Sequence, residues 1–218
     1  MRIAIFGATG PSGQFAVKEA LDKGYYVTAL VRNPGKLTTK DDKLKIEKVD
    51  IFKPEEVGPH LKDCDAVVSC LGTPRQGFLG WSKVTFYTDS MKSIVNAMRT
   101  SGTKRLVCLT SIGTEKVPGS PWVVEWIFRP LLIGNILSDM AEMEHYLKDH
   151  CSDLSYTVVR PSGLVDGPSS GKQIQTEENQ FVTGAAISMP RADVGKFVID
   201  CVQKESWLQK FVAIGLLP

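Results

Sequence analysis

The sequence predicts a doubly wound α/β fold, a parallel sheet with helices packed on both faces, on three observations. Apolar strand-like runs recur along the 218 residues, helical segments lie between most of them, and the first run breaks into glycine-spaced residues leading straight into a helix. Parallel neighbours need a crossover, and strands buried on both faces read as continuous apolar runs, so this alternation selects a parallel sheet.

Taken in order, strands are expected at 2–6, 26–31, 44–49, 66–70, 105–110 and 156–159, with a weaker one at 211–214. Helices are expected at 12–23, 54–61, 83–99, 137–148 and 192–204. The first and third of these helices run into Gly24 and Gly102, residues that stop a helix. In the fourth, Ile136, Met140, Met143 and Leu147 fall on one face at helical spacing. Crossovers between parallel strands should be right-handed.

No repeat, low-complexity tract or linker divides the chain, so residues 1–218 are expected to form one nucleotide-binding domain, long enough to bury a full core. A substrate pocket must then come from loops. Those at 72–82, 111–136 and 161–180 each follow an expected strand, where open α/β sheets bind ligands.

Chemistry enters at the first turn. In Gly7-Ala-Thr-Gly10-Pro-Ser-Gly13, Gly7 lets the chain turn sharply off the strand, and Gly10 lets backbone approach a pyrophosphate. Gly13 lets the helix lie close to the sheet. Amides at the helix start then face the phosphates. At the tip of the second strand, Val31-Arg32-Asn33 carries an arginine where a carboxylate would mark NAD. A guanidinium binds a 2′-phosphate by charge-assisted hydrogen bonds, and one such bond implies about ten- to hundredfold preference. With Lys36 adding charge and Thr9 a hydroxyl, the expected cofactor is NADP(H). Asp50 is expected either to accept from the adenine amino group, with Ile51 packing on the ring, or to cap the helix beginning near Pro54. Leu71-Gly72-Thr73 offers a side-chain-free approach to the nicotinamide half, or a plain turn.

A net charge of +2 is scattered, with no basic block, and nucleic acid is not expected as a partner. No targeting segment precedes the first strand, so the expected location is the cytosol. The cysteines, Cys64, Cys70, Cys108, Cys151 and Cys201, are odd in number and lack C-x-x-C spacing, and are expected to be reduced. His60, His145 and His150 show no ligand pattern, and no metal is expected, although His145 and Glu142 can share a helix face. Segment 121–136 is strongly apolar but is interrupted by Glu125 and Arg129 and falls short of the ~20 residues of a membrane span. It is expected to be a helix on the sheet edge or over the cleft. A lid, or a protein or membrane-surface contact through Trp122, Trp126 and Phe128, stands as the alternative.

These residues, together with Val49-Asp50, Leu109-Thr110-Ser111 and Thr157-Val-Val-Arg160-Pro161, make the chain resemble the atypical short-chain dehydrogenases over nearly its whole length. Within them it is most similar to the biliverdin-IXβ reductase/flavin reductase and NmrA-like branch. The resemblance implies a Rossmann-type fold, NADPH across the sheet ends, and hydride transfer to flavins or linear tetrapyrroles. It implies that Gly7, Thr9, Gly10, Pro11, Ser12, Gly13, Arg32 and Lys36 hold the phosphates and that Asp50 and Ile51 hold the adenine. Leu71, Gly72, Thr73, Thr110, Arg160 and Pro161 would line the nicotinamide half, with Ser111 beside the substrate. Two departures set the chain apart from the biliverdin reductase: Arg160-Pro161-Ser162 stands where that enzyme has a histidine turn, and segment 122–136 is longer and greasier.

Ordinary short-chain dehydrogenases use Tyr-x-x-x-Lys, whose lysine tunes the tyrosine acid. No tyrosine here has that partner, so alcohol–ketone interconversion is not expected. Ser111 is the candidate substrate-side hydroxyl, or else the cap of a turn. Arg75 or Arg160 would pair with an acidic substrate or serve structure. The function classes that remain are an NADPH-dependent reductase of flat conjugated acceptors, a non-catalytic NADP(H) sensor, and a scaffold subunit.

Overall fold

The structure is a computed structural model, and it describes residues 1–73, 83–115, 117 and 134–218. Its frame is an eight-stranded sheet in the order β3-β2-β1-β4-β5-β6-β10-β8. β1 (Arg2–Phe6), β2 (Tyr26–Val31), β3 (Leu44–Lys48), β4 (Ala66–Ser69), β5 (Arg105–Leu109), β6 (Ser155–Pro161) and β10 (Lys210–Gly215) run parallel. Only the edge strand β8 (Gln175–Glu177) is antiparallel, pairing Ala213 with Glu177. β7 (Gly163–Val165) and β9 (Ser188–Pro190) form a separate parallel pair.

The helices divide between the two faces. α1 (Pro11–Asp22) and α5 (Arg191–Cys201) cover one, where Ala16, Val17, Val194 and Val198 pack on Ile3, Ile5, Val107 and Val159. α2 (Pro54–Leu61), α3 (Phe86–Ser101) and α4 (Gly134–His150) cover the other, where Leu61, Ile94, Met98, Met143 and Leu147 pack on Ala4, Phe6, Leu106, Tyr156 and Val158. Successive residues of a strand thus alternate between two cores, which is why Ile3 to Phe6 of β1 and Ala66 to Val68 of β4 are all apolar. Gly195 brings α5 against α1, since a Cβ there would lie 2.7 Å from the Phe15 Cβ.

The expected strands and helices all form, with ends shifted by a few residues. Ser155–Pro161 is longer than expected because β10 and β5 pair along both its sides. The expected loop 161–180 is corrected: it contains β7 and β8, strands of three residues that exist through long-range pairing. Gly102 ends α3 in the left-handed conformation at φ 83°. Loop residues 74–82 and most of the apolar 121–136 segment lie outside the described residues, while its last three open α4. Among the described residues no helix is long and apolar enough to cross a membrane, and the cysteines are free thiols.

Candidate functional site

The order of connection reverses between β1 and β4, and beyond the carboxyl ends of these strands lies a cleft of about 1530 Å³. Ordinary small-ligand pockets run to about 300–1,000 Å³, so the volume suits a dinucleotide with a second molecule beside it. Such a crevice follows from the topology, because neighbouring connections leave the sheet in opposite directions there.

The glycine elbow forms the middle of the cleft. Gly7 has φ 72°, and a Cβ on it would fall 2.4 Å from the Cys70 carbonyl oxygen. Gly13 is tighter still, its Cβ position lying 2.1 Å from the Gly7 oxygen. Gly10 donates its amide to that same oxygen at 2.8 Å and serves as the N-cap of α1. No side chain caps this helix and no acidic residue sits in its first turn. Its first amides are therefore left to an anion, at the positive end of the macrodipole. Thr9, Pro11 and Ser12 line the cleft here, and the Thr9 carbonyl is held by Gln14 Nε2 at 3.1 Å.

On the β2–β3 side the wall carries Arg32 and Lys48. Arg32 is exposed at the strand tip, and Asn33 Oδ1 accepts the Gly35 amide at 3.2 Å to shape the next turn. Lys36 lies exposed on that turn, outside the cleft wall; Lys48, paired beside Val31, was not anticipated. Asp50 and Ile51 are in the wall, and Asp50 Oδ1 already accepts the Phe52 amide at 3.0 Å. That bond makes it the organiser of its own turn, while the α2 N-cap is Lys53. Phe52 and Phe86 meet edge-to-face at 6.0 Å, and Phe86 and Tyr87 at 5.5 Å, giving this end an aromatic border.

At the other end Leu71, Gly72, Thr73, Leu109, Thr110, Met140 and Pro161 surround the cleft. The Thr73 amide donates to the Tyr87 hydroxyl at 3.2 Å, and burial pushes that phenol above its ordinary pKa, so it stays protonated at neutral pH. Cys70 lies on the floor, its thiol pushed up to about 12 by burial, hence a thiol and not a thiolate. Ser111 follows Thr110, half-buried and outside the described wall.

Arg160 turns elsewhere. Its Nη2 and Nε donate to Glu144 Oε2 and Oε1 at 2.6 and 3.0 Å, its Nη1 donates to the Asn179 carbonyl at 3.2 Å, and its guanidinium stacks 4.9 Å from the Phe211 ring centre. The two carboxylate oxygens also accept Thr110 Oγ1 at 2.7 Å and Thr114 Oγ1 at 2.9 Å. Arg160 and Glu144 are 9% and 2% exposed in their side chains, so this is a buried network behind the cleft wall, joined to it through Thr110. The direction was legible: Arg160 shares a strand face with Tyr156 and Val158, which pack under α4. His145 pairs with Glu115 at 2.6 Å, not with Glu142.

Sequence reasoning missed Lys48, Tyr87, Met140, Glu144 and Arg191. All but Arg191 sit on elements it recognised, and a lone Glu144 four residues after Met140 on an apolar helix face signalled a buried partner.

Comparison with known proteins gives the family and the fold. The NAD(P)H-binding family matches residues 7–205 of the chain. An uncharacterised chloroplastic protein of Arabidopsis thaliana is 29% identical, the alignment covering 98% of this chain and 76% of that protein. The chloroplastic divinyl chlorophyllide a 8-vinyl-reductase of the same plant is 24% identical over 99% of this chain. The photosystem II assembly factor Ycf39 of Synechocystis is 26% identical over 96%. This chain spans only 53% of that reductase and 61% of that assembly factor. Among solved structures, an oxidoreductase of Lactococcus lactis superposes with TM-score 0.80 at 18% identity, covering 99% of this chain and 91% of that one. A short-chain dehydrogenase/reductase of Veillonella parvula in complex with NADP gives 0.76 at 18%, covering 98% and 94%. The structural likenesses establish the Rossmann-type fold.

Proposed function

The chain belongs to the NAD(P)H-binding family, and from that premise we propose that it is an NADPH-dependent reductase that passes hydride to a flavin or another flat conjugated acceptor. The observation that carries the reading is the cleft itself: an uncapped helix start behind three glycines, two cations on one flank, and an apolar nicotinamide end. The residues fit the cofactor. A Cβ at Gly7 or Gly13 would strike backbone, so the elbow is shaped to bring amides, not side chains, up to the phosphates.

Ser12 and Gly13 hold the pyrophosphate through their amides, Gly10 letting the backbone come close while its own amide stays on the Gly7 carbonyl, and Arg32 with Lys48 meets the 2′-phosphate, Lys36 adding charge from the next turn. Ile51 packs on the adenine, and Asp50 retains one oxygen for its amino group. Leu71, Gly72, Thr73, Thr110 and Pro161 border the nicotinamide. Bound NADPH supplies the hydride and leaves as NADP⁺, while a flavin or quinone takes its proton from water. What the chain contributes is proximity and exclusion of solvent at an apolar wall, an orientation effect worth several kcal/mol of the barrier. Ser111, and Tyr87 with its phenolic proton, offer hydroxyls to the acceptor. Arg160 supports this wall through Glu144 and Thr110.

A second reading, an NADP(H)-binding sensor or scaffold, draws on the missing Tyr-x-x-x-Lys and on the assembly factor among the relatives. One set of measurements separates them. Wild-type protein is expected to bind NADPH at least about tenfold more tightly than NADH, and Arg32→Ala to bring the two dissociation constants within about twofold. Equal binding in the wild type, or tighter NADH, ends the NADP assignment. Steady NADPH oxidation with flavins or quinones is the expected result, and tight binding with no turnover across both acceptor classes favours the sensor. Ser111→Ala is expected to lower turnover about tenfold with NADPH affinity unchanged, as loss of one hydrogen bond to the reacting partner would. An unchanged rate leaves that serine a structural residue.

A further inference from the structure

Of the two arginines that the sequence offered for an acidic substrate, Arg160 is committed to Glu144, and Arg75 lies outside the described residues. Arg191 occupies the place instead. α5 packs on α1 and over β5 and β6, which sets its first residue past the switch point, on the far side of the elbow from Arg32. There it lines the cleft with Pro161 from the end of β6, Leu164 from β7 and Ser12 from the elbow.

Three facts separate this arginine from a structural role. A cation on the first residue of a helix faces the positive end of the macrodipole, so the placement does not serve α5. Its described ion pair, Nη1 to Asp166 Oδ1 at 2.7 Å, joins a guanidinium only 21% exposed to a carboxylate 84% exposed, and a pair so open to water contributes little to stability. The loop beyond Asp166 has its own anchor as well, since buried Asp193 accepts the Ser169 hydroxyl and the Ser170 amide, the latter at 3.1 and 3.2 Å. Releasing Asp166 therefore leaves the loop in place. Among the described residues the remaining guanidinium N–H groups have no protein acceptor.

The geometry points to Arg191 as the anion-binding residue of the acceptor subsite, with Asp166 as the counter-ion that the ligand displaces, so that the acceptor is a flat ring carrying a carboxylate or phosphate. This rests on the reductase reading for there being an acceptor at all. A ligand anion wins the exchange because it engages the planar fork by two parallel bonds inside the cleft, whereas Asp166 makes one bond at the edge of bulk water. The same cation would also suit the cofactor's own pyrophosphate, and the test must tell these apart.

Riboflavin and FMN share one ring system and differ by a phosphate, which makes them the probes. Their dissociation constants are measured by fluorescence quenching on protein saturated with NADP⁺, for the wild type, Arg191→Gln and Asp166→Asn, alongside NADPH affinity and melting temperature. FMN is expected to bind about tenfold more tightly than riboflavin, the effect of one charge-assisted contact. Arg191→Gln should bring that ratio to about one without moving riboflavin, NADPH or the melting temperature, and Asp166→Asn should raise FMN affinity. No FMN binding, a wild-type ratio near one, or a ratio that survives Arg191→Gln overturns the proposal, as does Arg191→Gln weakening NADPH while leaving the ratio alone. NADPH oxidation in the same preparations judges the reductase reading separately: an intact FMN preference without turnover removes that reading and keeps the anion site.

Discussion

Gly13→Ala is expected to weaken NADPH binding by at least about a hundredfold, the largest loss among single substitutions in the cleft. The added methyl would sit 2.1 Å from the Gly7 oxygen, 2.7 Å from the Gly7 carbonyl carbon and 3.0 Å from the Ala8 Cα, all backbone atoms that cannot yield as the end of a flexible side chain can. Either α1 slides off the sheet or the Gly10 to Gly7 hydrogen bond opens. In both cases the amides at the helix start swing away from the phosphates. Charge-assisted hydrogen bonds are each worth about 1.5–3 kcal/mol, so losing two gives the hundredfold figure. Overpacking should also cost about 1–3 kcal/mol of stability. Gly72→Ala is the comparison: a Cβ there meets no protein atom within 4 Å, so its melting temperature should be that of the wild type. Titration of both variants with NADPH, beside thermal melts, checks the pair. Wild-type affinity in a folded Gly13→Ala protein would show that the elbow does not grip the cofactor.

The second large effect concerns stability. Glu144→Gln is expected to destabilise the protein by about 3–5 kcal/mol, because it leaves the Arg160 guanidinium charged and buried with no counter-charge. For a chain of this size that corresponds to a fall of roughly 10 °C or more in melting temperature. The double variant Glu144→Leu with Arg160→Met should recover most of the loss, since apolar replacement of a whole buried pair is often neutral. Recovery will be incomplete, as the hydroxyl of Thr110 loses its acceptor. If the single variant melts within 2 °C of the wild type by about the same principle of size scaling, the pair is not the support described above.

These two sites mark how far the sequence could be followed. The elbow was legible because strand, turn and helix are consecutive, and Gly10 and Gly13 answer to Gly7 a few residues away, although Gly7 itself is pressed by the distant Cys70. The parallel strands were legible because both their faces are buried. β7, β8 and β9 were not: Gly163-Leu-Val, Gln175-Thr-Glu and Ser188-Met-Pro carry no apolar run, and only partners such as Ala213 for Glu177 make them strands. The cleft wall followed the same division. Lys48, Tyr87 and Arg191 come to it through strand order and helix placement, which spacing along the chain does not encode. Arg160 shows a different limit: its motif located the residue and its strand face gave its direction, but its partner Glu144 sits on α4, which the strand does not encode.

The position of β10 bears on how the molecule is made. Lys210–Gly215 lies between β6 and β8, both synthesised well before it, so one flank of the sheet has a missing slat until those late residues leave the ribosome. In that interval β6 has a bare edge and β8 has no partner, a state open to wrong pairing with other nascent chains. Folding should thus finish late and by insertion, with the β1–β5 half already set.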